Sequence, residues 1–132
     1  MSEPNRALGL HFVTRQDQMR GGPDPALCAP GYTARINGQV LDLAGHTALA
    51  GAFYAAFPDL NHILEDTVAD EAKVAVRFHL EGTHKGDFMG VAATGKRIKV
   101  EVIAILEVKD GKVTELQALS DQAGMMQQMG VQ

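Results

Sequence analysis

Tryptophan is absent from this 132-residue chain, cysteine occurs once, and aromatic residues make up only 5%. A single cysteine excludes an internal disulfide. A domain of this length can bury one hydrophobic core without such a staple, and a reducing cytoplasm is the expected compartment. Cys28 lies in Leu27-Cys28-Ala29-Pro30 with no basic neighbour, so it reads as a small buried hydrophobe rather than a nucleophile. No apolar run reaches the roughly 18 residues of a membrane span. Met1-Ser2-Glu3-Pro4-Asn5-Arg6 lacks the basic-then-apolar pattern of a secretion signal. Neither sign of charge dominates: 12 basic against 16 acidic residues leave a net −4, with the signs interspersed. Without a basic footprint, nucleic acid is not an expected partner, and neither is a membrane. The five histidines (11, 46, 62, 79 and 84) lack metal-ligand spacing, so no metal is expected. A nucleophile elbow, a phosphate loop and a dinucleotide fingerprint are also missing; Gly82, Gly86 and Gly90 stand four apart instead.

What is there is one globular domain over residues 1–132, 45% apolar and 21% charged. Ser2 caps a first helix in which Leu8, Phe12, Val13 and Met19 form the apolar face, closed by Gly21-Gly22-Pro23. A short second helix covers Pro25 to Ala29. Tyr32 to Ile36 reads as a strand ending at the turn Asn37-Gly38, with Leu41 and Leu43 on the returning arm. A third helix runs from about His46 to Phe57, with Leu49, Phe53 and Phe57 as its core stripe. Period two then takes over. Leu60, His62, Leu64, Asp66 and Val68 share one face of a strand. Val74, Val76, Phe78, Leu80, Gly82 and His84 share a face of the next, and Ile98, Val100, Val102, Ala104, Leu106 and Val108 of a third. Asp110-Gly111 is a hairpin turn, followed by a strand that puts Val113, Gln117, Leu119 and Asp121 together. A last short helix carries Met125, Met126 and Met129. Helices followed by a run of antiparallel strands predict an α+β domain, a curved sheet with the helices packed on one face. Ile103 and Ile105 interrupt the polar side of their strand, as a homodimer contact would.

The stretch Gly82-Thr83-His84-Lys85-Gly86-Asp87-Phe88-Met89-Gly90, with Val74-Ala75-Val76-Arg77 before it and Thr94-Gly95-Lys96-Arg97-Ile98 after it, resembles the SnoaL-like polyketide cyclases, or ester cyclases, of the nuclear-transport-factor-2-like superfamily. Ala55-Ala56-Phe57-Pro58-Asp59-Leu60, Asp110-Gly111-Lys112-Val113 and Gly124-Met125-Met126-Gln127-Gln128-Met129-Gly130 extend the likeness over residues 53 to 130. The resemblance implies a cone-shaped α+β barrel, a deep apolar pocket, a homodimer, an intramolecular aldol condensation and no cofactor. It also implies an acid/base residue near the last strand, which Asp121 matches. The chain departs from the family at Gln117 and Ser120, where Trp is common, at Ala118, where an acid is frequent, and at Arg35, where many relatives carry His.

An aldol closure needs a base for the proton beside a carbonyl and a donor for the oxyanion that follows. Asp121 is the candidate base, since a carboxylate in an apolar pocket is driven toward neutrality; it also stands where Asp commonly caps a helix. His84 continues the apolar face of its strand and can donate or shuttle a proton, or bond the Gly-rich loop as a rim histidine. His62 points inward with Leu60 and Leu64, as a site residue or a satisfied core histidine. Arg35 can hold a substrate carboxylate or enolate, or serve as a surface cation. Gln117 can orient the substrate. Tyr32, Tyr54, Phe53 and Phe88 are candidates for an aromatic wall, and they suit core packing equally. The leading reading is a cofactor-independent cyclase of apolar carbonyl compounds. The rivals are another cofactor-free isomerase, lyase or epoxide hydrolase on the same fold, and a non-catalytic ligand-binding dimer.

Overall fold

A computed structural model describes residues 2–130. Helix α1 covers Glu3–Met19, and the Ser2 hydroxyl accepts the Asn5 amide as its cap. A single 3-10 turn over Pro25–Leu27 stands where a short helix was expected and leads into strand β1, Cys28–Ile36. Then follow β2 (Gln39–Asp42), α2 (Leu43–Ala56), β3 (Asn61–Ala69), β4 (Lys73–Thr83), β5 (Arg97–Lys109), β6 (Lys112–Ser120) and α3 (Gln122–Gln128). The strands form one open curved sheet in the order β2-β1-β6-β5-β4-β3. All neighbours are antiparallel except β1 with β6, which run parallel, with β2, α2, β3, β4 and β5 between them in the chain. Asn37 and Gly38 both take positive φ, 50° and 86°, and Asp110 and Gly111 do the same at 53° and 74°. These backbone angles suit tight hairpins, which is why Asn-Gly and Asp-Gly stand there.

The expected alternation holds along β4 and β5. Val74, Val76 and Phe78 of β4, and Ile98, Val100, Val102, Ala104 and Leu106 of β5, are all buried. It breaks in β3 and β6, because each carries an extra residue. In β3, Leu64 pairs with Phe78 but Asp66 with Arg77, so Glu65 is inserted, and Thr67 and Ala69 rather than Asp66 and Val68 turn inward. In β6, Val113 pairs with Val108 but Glu115 with Glu107, and Thr114 is the extra residue. Beyond it Leu116, Ala118 and Ser120 face inward, while Gln117 and Leu119 face solvent, opposite to the single-face reading.

Helix α2 differs as well. It begins at Leu43 with Asp42 as its cap, and its buried stripe is His46, Ala50 and Tyr54. Leu49 and Phe53 are only partly buried, because α2 lies over a cavity rather than directly on the sheet. Met19, expected in the apolar face of α1, is 42% exposed, since Gln16 and Asp17 take the inward side of that last turn. The expected inner residues meet in two clusters. Phe12, Tyr32, Val76 and Leu106 belong to one, and Phe57, Leu60, Phe88, Ile98 and Met125 to the other. Gly86 is needed where the loop after β4 runs against the end of α2: a Cβ there would lie 2.8 Å from the Ala55 carbonyl oxygen.

Candidate functional site

Between the concave sheet face and α2 lies a cavity of about 350 Å³. Phe78, Leu80, Val100, Val102 and Leu116 form its floor, and Leu49, Phe53 and Met125 close it from the helix side. Polar groups enter this apolar lining at a few points, and the densest group joins α1, α2 and β3.

His62 is the second residue of β3, ahead of the Glu65 bulge, and so points inward as its alternation demands. Its Nδ1 lies 2.7 Å from Asp17 Oδ1, and its backbone amide donates to Asp17 Oδ2 at 2.7 Å. The Tyr54 hydroxyl donates to Asp17 Oδ1 at 2.6 Å. Burial pushes the Asp17 carboxyl up, but the bonds from His62 and Tyr54 outweigh it and hold the group below the usual carboxylate range. Asp17 is therefore ionised at neutral pH and takes the Nδ1 proton of His62 as its partner. The ring's lone pair is left on Nε2, which has no protein partner among the described residues and is not sealed from the cavity that His62 lines. The rings of Phe78, at 5.2 Å, and Tyr54, at 6.5 Å, hold the imidazole in place. Arg20 lies over the Tyr54 ring at 4.6 Å and donates to the Pro58 and Leu60 carbonyls, which ties the end of α1 to the start of β3. The result is a carboxylate-oriented imidazole at the wall of an apolar chamber, an arrangement suited to proton transfer.

A second imidazole faces the same chamber. His46, on the buried stripe of α2, lies with Nδ1 2.9 Å from the Tyr32 hydroxyl. Burial pushes the Tyr32 phenol up, so it stays protonated. Burial, with a smaller contribution from His62, pulls His46 down to about 4. The sign of the linkage follows. Between pH 4 and 6.5 the unfolded chain binds the proton that folded His46 refuses, so this group makes stability rise with pH across that window, by about 3 kcal/mol in all. Urea unfolding of the wild type and His46→Gln from pH 4.5 to 7 should give a difference curve with that positive slope. A flat difference would show that His46 titrates normally.

The remaining expected site residues fall elsewhere. Asp121 is exposed, and its Oδ1 accepts the Gly124 amide at 2.8 Å as the cap of α3. It lies outside the cavity lining, because β6 ends at Ser120 and α3 begins at Gln122. Arg35 and Gln117 are neighbours across the β1–β6 pairing, both exposed on the convex face of the sheet, away from the cavity. His84 is fully buried beneath the Gly-rich loop: Thr94 Oγ1 lies 2.9 Å from Nδ1, and Phe57 packs 5.3 Å from the ring. It does not line the cavity, and its Nε2 has no partner among the described residues. Phe53, Phe88, Tyr54 and His62 do line the cavity, while Tyr32 acts one step behind it through His46. Asp17, Gln16 and His46 are not among the site residues that the sequence singles out. The available signal was polar residues one helical turn after Phe12 and Val13, and a histidine at i−8 from Tyr54.

Residues 25–129 match the family model described as SnoaL-like polyketide cyclase. The chain is 30% identical over 93 residues to the aklanonic acid methyl ester cyclase DnrD of Streptomyces peucetius, a match covering 67% of this chain and 64%, under two thirds, of that one. AclR of Streptomyces galilaeus, for which a hydroxylase role has been suggested, superposes with a TM-score of 0.85 at 28% identity over 98% of both chains. A protein of Jannaschia sp. CCS1 described as SnoaL-like superposes at 0.83 with 21% identity, over 100% of this chain and 98% of that one, a likeness of fold.

Proposed function

Because this chain belongs to the SnoaL-like polyketide cyclase family and has its nuclear-transport-factor-2-like fold, we propose that it closes a ring by intramolecular aldol addition in an apolar, carbonyl-bearing substrate, with His62 as the acid/base group. The observation that carries the reading is the Asp17–His62 pair at the wall of the cavity. His62 Nε2 removes the proton beside a carbonyl, giving an enolate and an imidazolium that Asp17 stabilises as it forms. The enolate carbon attacks a second carbonyl of the same molecule. A carbon–carbon bond forms, the carbonyl π bond becomes an alkoxide, and the imidazolium returns its proton there. The product is an isomer of the substrate, and His62 is restored. The chemistry balances on the chain's own groups and uses no cofactor. Asp121, the residue suggested by family resemblance, caps α3 in this reading.

The test uses aklanonic acid methyl ester, the compound named for the relative. Wild-type protein should convert it to a product of unchanged mass and one more ring, read by mass spectrometry and NMR. A wild-type rate equal to the buffer blank, with the ester shown to bind, removes the proposal. Asp121→Ala should keep the rate and lose about 1 kcal/mol of stability, the usual cost of a lost helix cap. A dead Asp121→Ala variant of normal stability would return the base to Asp121.

The convex face of the sheet supports a homodimer. Ile103, 56% exposed, and Leu119, 70% exposed, are cross-strand neighbours, and Ile105 lies beside them at 43%. Light scattering should give twice the chain mass, falling to the monomer in Ile103→Glu. A monomeric wild type at tens of micromolar ends that idea.

A further inference from the structure

We infer that His46 is a second catalytic group, a neutral imidazole whose Nε2–H binds the carbonyl oxygen that becomes the alkoxide, with Tyr32 as the residue that fixes its tautomer. This assignment rests on the cyclase reading for its reaction and on geometry for everything else.

The tautomer follows from hydrogen-bond accounting. Tyr32 is 4% exposed, and its hydroxyl lies 2.9 Å from His46 Nδ1. If Nδ1 carried the ring proton, it would donate to the phenolic oxygen, and the phenolic proton would be left without a protein acceptor among the described residues. The favourable arrangement has Tyr32 donating to Nδ1 and the ring proton on Nε2. The Tyr32 ring stacks on the imidazole with centroids 6.0 Å apart and an interplanar angle of 11°, so the ring is held as well as bonded. Nε2 has no protein partner among the described residues, and it is not sealed, because His46 lines the cavity. A fixed donor therefore faces the chamber that His62 also lines.

The two imidazoles differ in the way an aldol closure requires. His62 is bonded through Nδ1–H to a carboxylate and offers a lone pair; His46 is bonded through its Nδ1 lone pair to a phenol and offers a proton. Burial keeps His46 uncharged, so it donates a hydrogen bond to the oxyanion without giving up the proton. The proton that neutralises the alkoxide comes from His62.

The first test needs no substrate. Long-range proton–nitrogen NMR on 15N-labelled protein at pH 7 should show His46 as the Nε2–H tautomer, and Tyr32→Phe should let the Nδ1–H form appear. The Nε2–H signal should move downfield on titration with 9-fluorenone, a flat aryl ketone, and stay in place with fluorene, the same shape without the oxygen. An Nδ1–H tautomer in the wild type, or no shift with the ketone, overturns the assignment even if the protein is a cyclase. In the cyclisation assay His46→Leu should lower kcat by about 10²–10³-fold, with a smaller change in KM, and His46→Gln should recover part of the loss through its amide N–H. An unchanged kcat in His46→Leu also overturns it. A wild type inert on the ester, with the tautomer and ketone shift as stated, would sink the cyclase reading and leave His46 as a carbonyl-binding group.

Discussion

His62→Gln should lower the first-order rate of ring closure by about 10²–10⁴-fold while leaving the fold intact. Glutamine keeps an N–H to offer Asp17 and fills a similar volume, but it has no basic nitrogen to take a carbon-bound proton. Asp17→Asn should come close to the same loss by another route. The amide can donate to Nδ1, which would move the ring proton to Nε2 and remove the lone pair from the cavity side. It also withdraws the charge that stabilises the imidazolium. Asp17→Ala adds a stability cost, because Tyr54 Oη–H and the His62 amide would both lose their acceptor. Substrate affinity should change little in Asp17→Asn, since Asp17 stands behind His62. If Asp17→Asn keeps full kcat while His62→Gln is dead, the imidazole works without its carboxylate. If both keep full activity, the pair is structural.

The largest stability loss should come from Phe57→Ala, about 3–5 kcal/mol, read as a lower urea midpoint with an unchanged slope. Phe57 is 0% exposed at the end of α2. Its ring lies 6.3 Å from Phe53, 5.3 Å from His84 and 5.5 Å from Phe88. Its Cβ side leaves no room for collapse: a Cβ on Gly82 would come within 3.1 Å of Phe57 Cβ. A phenyl-sized void there would be walled by α2, β4 and the loop carrying Phe88, and three elements anchored separately cannot all close on it. A domain of this kind has about 5–15 kcal/mol in total, so the variant should sit near the edge of folding at 37 °C. A loss below 1 kcal/mol would mean that the loop follows the void inward, and Phe88 exchange rates would report it.

The sheet was legible wherever strands run without an insertion. Strands β4 and β5 announce their buried face residue by residue, and Asn37-Gly38 and Asp110-Gly111 announce their turns. His62 could be placed inward because it precedes the bulge in β3. Gln117 could not, because Thr114 shifts the phase of β6 by one residue and nothing in the composition of a strand marks such a step. Asp121 carried two readings in the sequence, base and cap, and the chain direction at Ser120 decides which geometry it adopts. Asp17 was hidden for a different reason. Its meaning lies in a partner 45 positions away, and a lone acid near a helix end looks like ordinary surface until the helix is docked.

That docking makes the proposed site a report on how α1 meets the sheet. The proposed acid/base pair takes its carboxylate from the first helix and its imidazole from the third strand, so neither element holds it alone. Helix α1 precedes β3 in the chain, and the pair exists only once the helix has settled against the sheet. In refolding experiments, recovery of ring closure should therefore trail recovery of sheet structure, and the lag between the two is a direct clock for the arrival of the N-terminal helix.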